Sequence, residues 1–157
     1  VDSLNENGVR LNAIGDLESL PGDCHAILQQ AMARTAHNDR ITLTLALSYS
    51  ARWELVHMAR RLAREVAEGR LRTEDIDEAA VAAHLTTAGM PDPELLIRTS
   101  GEQRVSNFLL WQIAYAELYF SSVLWPDFRK EDLFEAVLDY QSRERRFGLI
   151  SEQVNPR

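Results

Sequence analysis

The residues best equipped for chemistry lie in one stretch, Arg98-Thr99-Ser100-Gly101-Glu102-Gln103-Arg104-Val105-Ser106-Asn107-Phe108. Arg98 closes the apolar run Leu95-Leu96-Ile97, which reads as a short buried strand. Arg104 follows in the predicted loop from Thr99 to Val105. Ser106 is placed to cap a predicted helix from Asn107 to Ala116, whose first backbone N–H groups have no partners inside the helix. Two guanidinium forks, a hydroxyl and a helix N-terminus on one crest make a donor set for phosphate or diphosphate. Gly101 lets the loop fold tightly, and Thr99 and Ser100 add hydroxyls. A polar loop whose arginines pair with Glu102 and neighbouring acids accounts for the same composition equally well, because surface ion pairs are common and weak.

Glu117 is a second candidate. It interrupts the apolar run from Phe108 to Phe120 just before a predicted strand. An acid there is costly unless it is paired or binds a metal. A buried salt bridge is the ordinary explanation and metal ligation the alternative. The cluster Arg143-Glu144-Arg145-Arg146-Phe147-Gly148 closes the last predicted helix, where cations favour the macrodipole and glycine suits the C′ position. Trp111, Tyr115, Tyr119 and Trp125 are read as core or subunit interface rather than a platform for stacked bases. The histidines, His25, His37, His57 and His84, are scattered, and no dinucleotide, P-loop, zincin or nucleophile-elbow pattern occurs.

The elements that must hold these residues alternate. Val9–Gly15 and Ile41–Leu47 read as strands, and a helix from Asp23 to about His37 carries Ile27, Leu28, Ala31 and Met32 inward. A long helix from about Ala51 to Glu68 aligns Leu55, Val56, Ala59, Leu62, Ala63 and Val66 on one face, and Gly69 ends it. Asp77 caps the next helix. Leu118–Phe120 is the last strand, and Asp132–Arg146 the last helix, with Leu133, Phe134, Val137 and Leu138 inward. Val1–Gly8 looks like the last turns of a helix ending at a glycine cap. The expectation is an α/β fold, a mostly parallel sheet flanked by helices, in a single domain over residues 1–157. Ligands collect at the carboxyl ends of the strands in such sheets.

Composition narrows the classes. The 157 residues carry 17 Lys+Arg against 24 Asp+Glu, a net charge of −7, which disfavours binding of nucleic acid. The single Cys24 excludes an internal disulfide framework and a multi-cysteine zinc site. No run approaches the roughly 18–20 apolar residues of a membrane span, and the chain does not open on a signal peptide pattern, so a cytoplasmic location is expected.

The stretch from Ile97 to Gln112, continued through Ala116-Glu117-Leu118-Tyr119-Phe120 and Leu124-Trp125-Pro126-Asp127-Phe128, closely resembles the cis-prenyltransferase family, and within it the bacterial undecaprenyl diphosphate synthases. Arg143-Glu144-Arg145-Arg146-Phe147-Gly148 resembles the family's C-terminal signature, and Ser48-Tyr49-Ser50-Ala51-Arg52 its Asn-Tyr-Gly-Gly-Arg segment. The resemblance runs in order from about Asn5 to Gly148. It implies a homodimeric, Mg²⁺-dependent transferase that condenses isopentenyl diphosphate with an allylic diphosphate, usually farnesyl diphosphate, to form cis double bonds on a membrane-associated lipid carrier for the cell wall. It implies that Arg98, Arg104 and Ser106, with Val105 between them, hold the diphosphate of isopentenyl diphosphate. It implies that Glu117 is a Mg²⁺ ligand, and that Arg146 and Gly148 belong to a segment that reaches a partner's site.

Two departures qualify what is implied. The family's His-x-Asp-Gly-Asn-Gly-Arg-Trp and Phe-Ser-x-Glu-Asn-Trp segments do not occur in this sequence. The expectation is therefore the C-terminal portion of a synthase, inactive alone and with no catalytic residue of its own. Gln103 stands where some relatives carry His. A non-catalytic partner subunit of a prenyltransferase and a phosphate-binding module are the alternative expectations.

Overall fold

The computed structural model describes residues 1–144, which divide into two compact units, Val1–Met90 and Pro91 onward. The helix expected near the start is α1 (Asp2–Glu6), and Gly8 beyond it takes φ +67°. In the first unit β1 (Val9–Ile14) pairs in parallel with β2 (Ile41–Ala46), from Val9 opposite Ile41 to Ile14 opposite Ala46. A parallel pair needs a crossover, and α2 (Gly22–Thr35) supplies it. Thr35, fully buried at its end, ties helix to strand. Its hydroxyl donates to the Ala31 carbonyl at 2.9 Å and accepts the Leu11 N–H of β1 at 3.0 Å. Asp23 lies in the first turn of α2 and does not cap it.

α3 (Ala51–Ala67) begins at Ser50, whose hydroxyl accepts the Trp53 N–H at 3.3 Å. Its buried face differs from the expected one. Val56 is exposed, whereas Ala51, Glu54 and Leu62 are buried. Glu54 turns the helix, because its carboxylate is held inside by Tyr49 and Thr86. α4 (Glu78–His84) is capped by Asp77, whose carboxylate accepts the Ala80 N–H at 2.8 Å, as expected.

In the second unit β3 (Leu95–Arg98) runs parallel to β4 (Glu117–Phe120). The helix expected over 107–116 does not form; that segment is a series of turns. Ser106, Asn107 and Leu109 adopt φ +48°, +61° and +47°, outside the right-handed helical region. Burial of Leu109 and Gln112 sets the path of this apolar segment instead. α5 (Lys130–Ser142) starts where the Asp132 carboxylate accepts the Arg129 N–H at 2.7 Å. Its inward residue is Ala136, fully buried, while Leu133, Phe134 and Leu138 are exposed, contrary to the expected stripe. Arg143, anchored on β4, shares the face of Ala136 and Asp139 and fixes that rotation. Trp125 and Tyr115, expected in a core or interface, are 71% and 68% exposed. Among the described residues no helix is long and apolar enough to cross a membrane.

Candidate anion site at the carboxyl end of β3

Arg98 is the last residue of β3, and the chain turns immediately behind it. Ser100 and Gly101 both take φ +68°. Their N–H groups donate to the carbonyls of Val123 and Ser121, each at 2.8 Å, and Ser121 N–H donates back to the Arg98 carbonyl at 2.8 Å. These bonds staple the loops after β3 and β4 together, so the Arg98 side chain leaves from a fixed ledge. Among the described residues its guanidinium has no hydrogen bond or ion pair. An arginine left with five unused donors on a rigid ledge is equipped to take an oxyanion.

Arg98 lines two cavities. One of about 250 Å³ is walled by Leu96, Ile97, Arg98, Arg104, Val105 and Phe108. The other, of about 870 Å³, runs from Arg98, Thr99 and Ser100 to Phe128, Arg129 and Leu133. The smaller cavity brings together three of the four anticipated residues, Arg98, Arg104 and Val105. Ser106 lines neither cavity and is exposed. It caps no helix, because none follows it, so the expected helix N-terminus is missing from the donor set. The ion pair foreseen for this loop exists in part: Arg104 Nη1 contacts the Glu102 carboxylate, with the Arg104 side chain 65% exposed.

Glu117 opens β4, in register with Leu95, whereas Arg98 is in register with Phe120. The two candidates therefore stand at opposite ends of the ladder, three residues or roughly 10 Å apart along the strand. Arg143 Nη1 donates to Glu117 Oε2 at 2.9 Å. The salt bridge considered for Glu117 is thus present, with the side chain 28% exposed rather than buried. Hydrogen bonding to Glu117 first, and to Asp139 beyond it, holds the Arg143 guanidinium above its ordinary pKa. The sequence carries a signal for this pair, an acid in an apolar run, but nothing that selects Arg143 among the C-terminal arginines. Arg146 and Gly148 lie outside the described residues.

Among the described residues no three His, Cys, Asp or Glu side chains gather into a metal cage. Glu117 offers hard carboxylate oxygen, which suits Mg²⁺ held by one or two carboxylates together with substrate phosphates.

Residues 1–148 match the family model for putative undecaprenyl diphosphate synthases. An isoprenyl transferase of Geobacter sulfurreducens is 53% identical over 154 residues, covering 98% of this chain and 63% of that protein. A ditrans,polycis-undecaprenyl-diphosphate synthase of Pseudomonas aeruginosa, named as (2E,6E)-farnesyl-diphosphate specific, is 48% identical over 154 residues, covering 98% of this chain and 61% of that protein. The chain thus spans about three fifths of the length of these curated relatives. The structure of lavandulyl diphosphate synthase from Lavandula x intermedia, in complex with dimethylallyl diphosphate, superposes with a TM-score of 0.87 at 42% identity, over 89% of this chain and 60% of that one.

Proposed function

Because the chain belongs to the undecaprenyl diphosphate synthase family, we propose that it supplies the isopentenyl-diphosphate site of a cis-prenyl transfer onto an allylic diphosphate such as farnesyl diphosphate. The observation that carries this reading is the Arg98 guanidinium at the carboxyl end of β3, unpaired among the described residues and sharing a cavity with Arg104 and Val105.

In this reading Arg98 grips the diphosphate of isopentenyl diphosphate through paired N–H donors, and the stapled loop behind it keeps the fork from swinging. Arg104 exchanges Glu102 for the second phosphate, at little cost because that pair is exposed. Val105 walls the cavity beside these arginines, and Ser106 is the next residue of the same loop. These residues position; they move no proton. Held by its anionic end, the substrate presents its alkene in one direction, which converts an encounter into an oriented approach. Mg²⁺ would supply charge neutralisation for a diphosphate leaving the allylic partner. Glu117 is its ligand from this chain. Its place at the far end of the ladder from Arg98 fits service to the site of a second copy in a homodimer.

Calorimetric titration with isopentenyl diphosphate tests the assignment. Charge-assisted hydrogen bonds are worth about 1.5–3 kcal/mol, so Arg98→Ala is expected to weaken binding roughly 10–100-fold. Arg104→Ala falls below that, having its own ion pair to give up. Equal affinities for the parent protein and Arg98→Ala would overturn the proposal.

A further inference from the structure

Two carboxylates meet at the Arg143 guanidinium. Nη1 donates to Glu117 Oε2 at 2.9 Å and to the Leu118 carbonyl at 3.0 Å, and Nη2 donates to the Asp139 carboxylate. Asp139 and Arg143 sit one turn apart at the end of α5, and Glu117 and Leu118 open β4, so the fork joins helix to strand. Among the described residues this fork uses Oε2 of Glu117. Among the described residues Oε1 has neither hydrogen bond nor ion pair.

We propose that Arg143, compensated by Asp139, is the positioning residue that holds Glu117 with Oε1 free to take a divalent cation. The inference rests on the reading of Glu117 as a Mg²⁺ ligand. Three features of the cluster support it. A carboxylate that binds a metal through one oxygen needs its other oxygen fixed, and outer hydrogen bonds do this in metal sites. A guanidinium alone beside Glu117 would repel the cation. Asp139 cancels that charge, so two carboxylates against one guanidinium leave one net negative charge at the cluster. Finally, the bond to the Leu118 carbonyl ties the fork to the β4 backbone, so Glu117 is aimed relative to its own strand rather than to a mobile side chain. Lysine carries the same charge but has no planar fork to span Glu117 and Asp139 together.

The test uses Mn²⁺ as a paramagnetic probe, with inorganic pyrophosphate, on the 157-residue protein. Broadening of the Glu117 and Leu118 amide resonances reports both place and affinity. Arg143→Lys and Asp139→Asn are each expected to weaken Mn²⁺ binding about tenfold, while circular dichroism shows the fold retained. Asp139→Asn is the sharper variant, since Asp139 does not touch Glu117. A purely structural role for the cluster lowers the melting temperature and leaves the affinity of the folded protein unchanged, which would overturn the proposal. If Arg143→Lys fails to fold, unchanged affinity in Asp139→Asn overturns it alone. If Glu117→Gln binds Mn²⁺ as well as the parent does, the ligand reading itself fails and this inference with it.

Discussion

Replacing Glu54 by glutamine perturbs one oxygen of one side chain, and the structure sets the size of the response. Glu54 is 2% exposed. Its Oε2 accepts the Tyr49 hydroxyl at 2.5 Å, and its Oε1 accepts the Thr86 N–H at 2.8 Å as well as the Thr86 hydroxyl. The Thr86 N–H can only donate, so the glutamine oxygen must stay on that side. The new amide NH₂ then faces Tyr49, whose hydroxyl can rotate to accept. These three bonds each keep a partner and lose charge assistance, which predicts a fall in unfolding free energy of about 1–2 kcal/mol. Glu54→Ala also empties the site and takes the carboxylate away from Tyr49 and Thr86, predicting about 3–4 kcal/mol. Urea unfolding followed by far-ultraviolet circular dichroism, compared at constant m-value, gives both numbers. A double-mutant cycle with Tyr49→Phe isolates the phenol–carboxylate coupling. Glu54→Gln lying within about 0.3 kcal/mol of the parent, less than the usual scatter of additive sites, would refute the account of Glu54 as a charged clamp.

Gly15 sits at φ +112°, and a Cβ there would come within 2.1 Å of the Leu47 carbonyl oxygen. Gly15→Ala is expected to destabilise the first unit by about 2–5 kcal/mol, read in the same unfolding assay; a change below about 1 kcal/mol would contradict the geometry. The Asp75 carboxyl is held below its ordinary pKa by the Arg72 hydrogen bond. A carboxyl depressed in the folded state contributes stability above its unfolded pKa of about 3.9, and that stability is lost as pH falls through the folded value. Carbon-13 titration of the Asp75 carboxyl should give a midpoint below the unfolded one, and Arg72→Gln should restore it.

Much of the frame was legible because local and tertiary demands agree. β1 and β2 announce themselves by alternation and by the β-branched content of Ile41-Thr42-Leu43-Thr44, and Asp77 caps α4 through the very bond its side chain is suited to make. Arg98 was placed at a strand end from three apolar residues before it. The rest depends on forces that no short window contains. The stretch 107–116 carries helix-compatible apolar spacing, yet the positive φ at Ser106, Asn107 and Leu109 redirects it, and only Asn tolerates such φ readily. α3 spans nearly the expected residues, whereas α5 runs from Lys130 to Ser142 instead of from Asp132 to Arg146, and both bury other faces than expected, because Glu54 in one and Arg143 in the other are fixed by partners distant in sequence. Composition allows two readings of the Arg98–Arg104 loop, a shared anion site and an ion-paired surface loop, and does not choose between them, whereas the partner of Glu117 is not legible at all, since several arginines near the C-terminus compete for it on paper.

The strand β2 has a practical consequence for anyone handling the protein. Ile41, Leu43 and Leu45 are 58%, 44% and 36% exposed, and among the described residues β2 has a strand on one side only. A bare row of amides and carbonyls beside greasy side chains is a template on which another extended chain can lie. Preparations at millimolar concentration should therefore clump sooner than a net charge of −7 would lead one to expect, and Leu43→Lys should keep them clear.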